Sequence, residues 1–126
     1  MTRERVAERH PRGADYATRH IGAVVKLVID RPLGSTHPDY DDLLYEVNYG
    51  YVPDPLAPDG EGVDAYVLGV DTPLSTFAGC CVAVICRVDD DDDKLIVVPD
   101  GVSVSDDEIR AATRFCERHF DSVIAR

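Results

Sequence analysis

The sequence predicts a mainly β domain of the α+β class: five short strands curled into a small sheet or barrel, with one C-terminal helix packed outside. Three observations carry this. Runs rich in β-branched residues recur between positions 21 and 98, each bounded by glycine, proline or aspartate. The run 80–88 is apolar almost throughout, as a strand covered on both faces would be. Beyond residue 104 the apolar spacing changes to that of a helix.

Residues 1–20 are polar, contain Pro11 and Gly13, and show no clean period, so they are expected to form a flexible extension ahead of a single domain over 21–126. Ile21 to Ile29 is the first expected strand. Pro32, Gly34, Ser35 and Pro38 then break the chain, and a loop runs through Asp42. Leu43 to Pro53 places Tyr45, Tyr49 and Tyr51 around Asn48 and Gly50, which predicts a second strand that bends at the glycine. An acidic loop over 54–62 leads to a third strand, Val63 to Val70. A turn over 71–79 precedes the fourth, Cys80 to Val88, and a run of aspartates separates that from the fifth, Leu95 to Val98.

The helix has the clearest signals. Ser105 and Glu108 have the spacing of a capping box, and Val104 and Ile109 that of a hydrophobic staple. Asp106 and Asp107 suit the positive end of the helix dipole, and Arg114 and Arg118 its later turns. Ile109, Ala112, Cys116 and Phe120 form the expected apolar stripe against the sheet.

A chain of 126 residues with 44% apolar side chains fits one domain with one core. The net charge of −11 disfavours a nucleic-acid partner. It is uneven: residues 1–20 hold five arginines against three carboxylates, +2, so the remainder carries −13. No apolar run has the length of a membrane span, and the N-terminus lacks the apolar core of a secretory signal, so a cytoplasmic protein with no membrane partner is expected. Cys80, Cys81, Cys86 and Cys116 show no C-x-x-C spacing and are expected to be reduced residues in or near the core. His10, His20, His37 and His119 are scattered, which argues against a histidine metal site. A self-associating apolar outer face would make a homo-oligomer, an option the sequence leaves open.

Two carboxylate groupings stand out. Asp59 and Glu61 project from a glycine-loosened turn, with Asp64 just inside the next strand. Asp89 to Asp93 run together between two apolar strands and end at Lys94. Adjacent carboxylates repel, and a hard divalent cation relieves the repulsion. The alternative is a solvated acidic turn. An EF-hand loop is excluded, because its sixth and twelfth positions counted from Asp89 are Lys94 and Asp100. There is no P-loop, no G-x-S-x-G and no H-E-x-x-H. The chemistry indicated is metal-assisted hydrolysis, with carboxylate-held cations activating a water and Lys94 neutralising phosphoryl charge.

Three stretches taken together, Asn48-Tyr49-Gly50-Tyr51-Val52-Pro53, Asp59-Gly60-Glu61-Gly62-Val63-Asp64 and Asp92-Asp93-Lys94-Leu95-Ile96-Val97-Val98-Pro99, resemble the family I soluble inorganic pyrophosphatases. The resemblance runs from about residue 21 to about 121 and is nearest to a short branch sharing stretches similar to Ile29-Asp30-Arg31-Pro32-Leu33-Gly34-Ser35. It implies an OB-like closed five-stranded barrel and magnesium-dependent cleavage of pyrophosphate to phosphate, using several Mg2+ ions for which Mn2+ can substitute. It implies Asp59, Asp64 and Asp92 as ligands of a first ion, Asp64 of a second, Asp89 and Asp92 of a third, and Asp30 near a fourth. Glu61 matches the family's general base, one methylene longer, while Lys94 and Tyr49 would meet the substrate.

Some family features are altered. The stretch that carries a phosphate-gripping lysine and arginine is shortened, leaving Arg31 and His37 as substitutes. A family Tyr-Pro is Tyr45-Glu46, and a late Tyr-Lys pair is His119-Phe120. The metal-binding half of the expected site is therefore fuller than the phosphate-binding half. The alternatives are a hydrolase of another small phosphoanhydride or phosphoester, or a non-catalytic module binding divalent cations or protein.

Overall fold

A computed structural model of the chain describes residues 16–88 and 92–126. Among them are six strands, β1 (Val24–Arg31), β2 (Asn48–Pro53), β3 (Glu61–Val67), β4 (Thr76–Arg87), β5 (Lys94–Val98) and β6 (Ser122–Ala125), and one α-helix, α1 (Asp106–Glu117). The sheet order is β1-β2-β3-β5-β4-β6, and β1 also pairs with β4, so the first five strands close into a barrel. The β3–β5 pairing is parallel and the others are antiparallel. The expected mainly β barrel with a C-terminal helix outside is the observed architecture. No helix among the described residues is long and apolar enough to cross a membrane.

Several boundaries differ from expectation. The chain turns at Gly22, whose φ of 90° places it in the left-handed region, so β1 begins at Val24 and not at Ile21. The second strand begins at Asn48, because 43–47 form a loop whose backbone bonds back to 34–37. The fourth starts at Thr76, inside the expected turn, because 76–80 pair with β1. The sixth strand was not expected. Of the expected N-terminal extension, 1–15 lie outside the described residues, while Tyr16 and Ala17 are buried in the barrel core ahead of a 3-10 turn, Thr18–His20.

The core has two layers, and alternation along the strands explains them. Leu95 and Val97 of β5 point into the barrel with Val25, Leu27 and Ala65. Ile96 and Val98 point outward, under α1, with Tyr66, Ile85, Ile109 and Phe115. On β4 the phase slips: Cys81 and Val84 face in while Ala83 and Ile85 face out, and the register shift between Cys81 and Ala83 is the bulge that permits this. All four cysteines are free. Burial pushes the Cys81 thiol up to about 11, so it packs as an uncharged apolar group.

The expected capping box is present. Glu108 N–H donates to Ser105 Oγ at 3.1 Å, and Ser105 N–H donates to Glu108 Oε1 at 2.7 Å. The apolar stripe is rotated from expectation. Ile109, Thr113, Phe115 and Glu117 are the buried helix residues, whereas Ala112 and Cys116 are only partly buried. Phe120 lies beyond the helix, 41% exposed, because α1 ends at Glu117.

Candidate functional site

The parallel pairing of β3 with β5 sets Asp64, midway along β3, opposite Lys94 at the start of β5. The turns that lead into those strands therefore emerge at one end of the barrel, and Asp92 comes with them. β2 lies antiparallel to β3 with Tyr51 opposite Asp64 and Tyr49 opposite Tyr66, and the Tyr49 side chain reaches back to Asp64. β1 adds Arg31, opposite Tyr49. Two residues of the Asn-Tyr-Gly stretch fix this geometry. Asn48 is fully buried; its Oδ1 accepts from Leu33 N–H (2.9 Å) and Leu74 N–H (3.0 Å), and its Nδ2 donates to Thr72 O (2.9 Å), pinning two loops. A Cβ on Gly50 would collide with the Val28 carbonyl of β1, so only glycine permits so close an approach.

At the centre is the Lys94 ammonium, on a residue only 3% exposed. A buried charge needs partners. Lys94 Nζ donates to Tyr49 Oη at 2.7 Å and Asp64 Oδ2 at 3.0 Å, and lies 3.1 Å from Asp92 Oδ2. Tyr49 Oη in turn donates to Asp64 Oδ2 at 2.8 Å. Burial first, then the charge of Asp64, raises the Tyr49 pKa and keeps its proton available. Thus Asp64 and Asp92, from separate segments, meet at one cation, the Lys94 ammonium.

The other carboxylates lie towards the β1 side. Asp59 Oδ1 accepts the Glu61 N–H at 3.0 Å. The Glu61 pKa is raised by partial burial and then by the charges of Asp64, Asp30 and Asp59, with Arg31 opposing. These groups thus share one field. Arg31 lies 3.7 Å from the Asp30 carboxylate and donates to the Asp30 carbonyl at 2.9 Å. Among the described residues no three His, Cys, Asp or Glu side chains converge as ligands of one ion; Lys94 stands between Asp64 and Asp92 instead. Asp89 lies outside the described residues.

Sequence reasoning missed a second ionic group beside the first. Arg87, at the end of β4, donates from Nε to Glu117 Oε1 (3.1 Å) and from Nη2 to Glu117 Oε2 (2.8 Å), a bidentate pair with both side chains 7% exposed. Tyr66 Oη donates to Glu117 Oε2 at 2.6 Å. Arg87 Nη1 reaches Asp92 Oδ2 at 3.4 Å, and its guanidinium lies 3.7 Å over the Phe120 ring. The available signal was a lone cation at the end of an apolar strand, Arg87, one residue removed from the acidic run. The site opens into a cleft of about 630 Å3 whose lining includes Asp64, Asp92, Lys94, Arg87 and His37.

A family model described as inorganic pyrophosphatase matches residues 20–124. An inorganic pyrophosphatase of Nostoc sp. is 38% identical over 68 residues, covering 48% of this chain and 38% of that protein. The match thus spans well under half of that curated relative. An inorganic pyrophosphatase structure from Helicobacter pylori superposes with a TM-score of 0.61 at 21% identity, covering 85% of this chain and 86% of the other. One from Neisseria gonorrhoeae gives 0.56 at 20% identity, over 75% and 72%. At these identities the likeness establishes a shared fold.

Proposed function

The chain belongs to the inorganic pyrophosphatase family, and from that premise we propose that it hydrolyses pyrophosphate to phosphate with magnesium bound to its acidic barrel end. The observation that carries this is the meeting of Asp64 and Asp92 at one buried cation, Lys94. The donor set fits the metal. Asp30, Asp59, Asp64 and Asp92 offer hard oxygen ligands; Glu61 is raised by burial first and then by its neighbouring carboxylates, and a dication would relieve that second contribution. Asp89 completes the proposed ligands, and Mn2+ has the same oxygen preference. When bound, magnesium lowers the pKa of a coordinated water and screens the phosphoryl charge.

The chain's own residues do the rest. Glu61, on the turn beside Asp59, is proposed as the general base that takes the proton of the attacking water. Lys94 and Tyr49 already present N–H and O–H donors to carboxylate oxygens, and the same donors suit phosphoryl oxygens as charge develops there. Arg31, beside Tyr49 on the neighbouring strand, is proposed as a second phosphate contact.

Phosphate release from pyrophosphate with magnesium tests the reading. Asp64→Asn keeps the shape of the side chain and removes its charge, and a rate loss of about 100-fold or more is expected. Equal rates for the two proteins would reject the assignment.

A further inference from the structure

The cleft is larger than pyrophosphate alone requires. Its volume of about 630 Å3 equals about twenty waters at ~30 Å3 each. It falls within the ~300–1,000 Å3 typical of pockets for organic ligands. One end is the ionic group around Lys94. The other is walled by a hairpin-like loop and by the turn after α1. The loop is held by a Thr36–Leu44 bridge and by backbone bonds from Tyr45 N–H to Ser35 O and from His37 N–H to Leu43 O.

That second end carries rings. His37 lies 4.9 Å from Tyr40 and is stacked on Tyr45, 6.4 Å away at an interplanar angle of 13°. Tyr40 is 61% exposed and Phe120 41%, both lining the cleft from separate segments. Ring faces do nothing for a hydrated pyrophosphate ion, and of the charged residues lining this end Asp42 repels one while Arg118 attracts it. A planar base stacks on such faces, and the Asp42 carboxylate accepts hydrogen bonds from hydroxyl or amino groups, as a nucleoside presents.

Building on the hydrolase reading above, we infer that this site takes a phosphoanhydride bearing a planar aromatic group, namely a nucleoside diphosphate or triphosphate. The terminal phosphate meets Lys94, and the base lies against His37 and Tyr40, facing Phe120. In the reaction the oxygen of water bonds to the terminal phosphorus. The bridging P–O bond breaks, and its electron pair stays on the oxygen of the shortened nucleotide. The released phosphate keeps the water oxygen, and a proton passes through Glu61 to solvent.

The test compares adenosine 5′-diphosphate with pyrophosphate on the full chain, by calorimetric binding and by phosphate release with magnesium. Tyr40 is exposed, so Tyr40→Ala leaves the core untouched, and Tyr40→Phe restores a ring. The expected result is tighter binding of the nucleotide than of pyrophosphate, and phosphate release from it. Tyr40→Ala lowers the nucleotide-to-pyrophosphate ratio of kcat/KM by about tenfold, and Tyr40→Phe restores it. Release from pyrophosphate alone, or a ratio that Tyr40→Ala does not move, overturns this inference and leaves the hydrolase reading standing. Background release from both compounds overturns the hydrolase reading itself.

Discussion

Two buried cations, Lys94 and Arg87, sit side by side at the same end of the barrel, and their surroundings differ in one respect. Arg87 is paired with Glu117, and both side chains are 7% exposed. Lys94 is paired with Asp64 and Asp92, whose side chains are 26% and 52% exposed. Around Arg87 the acid is sealed under α1 and further bound by Tyr66, so the pair clamps helix to sheet. Around Lys94 the acids open to the cleft, where in the proposed reaction they would exchange their partner for a ligand. The exposure of the carboxylate, more than the identity of the cation, is what separates the two pairs.

Breaking the sealed pair has the largest expected effect on stability. Glu117→Ala leaves Arg87 buried without its main counter-charge and is expected to cost about 3–5 kcal/mol, measured by denaturant unfolding. A cost below about 1 kcal/mol would make this pair no different from a surface one. A smaller change sharpens the same point. Burial, with Cys116 and Glu117 nearby, keeps the Tyr66 phenol protonated and donating. Tyr66→Phe removes that one donor from the Glu117 carboxylate and is expected to cost about 2 kcal/mol.

The Lys94 half of this comparison was legible in the sequence, and the Arg87 half was not. The Asp64–Lys94 neighbourhood was readable because both residues sit inside dense motifs, and the parallel pairing of β3 and β5 sets one motif beside the other. The capping box was readable because it is local in sequence. Glu117 was not, since a glutamate on a helix normally marks the solvent face, and its partner is 30 residues away on another element. Phe120 fitted the helical stripe by spacing, but the chain had left the helix. Strand β6 follows the helix by a few residues and is only four residues long; its pairing with 84–87 of β4 is a tertiary fact with no local signature.

Asp92 belongs to both groups, since the same Oδ2 lies 3.1 Å from Lys94 Nζ and 3.4 Å from Arg87 Nη1. Asp92→Asn, followed by melting and by magnesium-dependent phosphate release in parallel, therefore tests the account most directly. Half exposed, Asp92 is expected to contribute under about 1 kcal/mol to stability, yet its loss is expected to lower the rate by about 100-fold. A variant that melts far below the wild type while hydrolysing pyrophosphate at the wild-type rate would contradict the account.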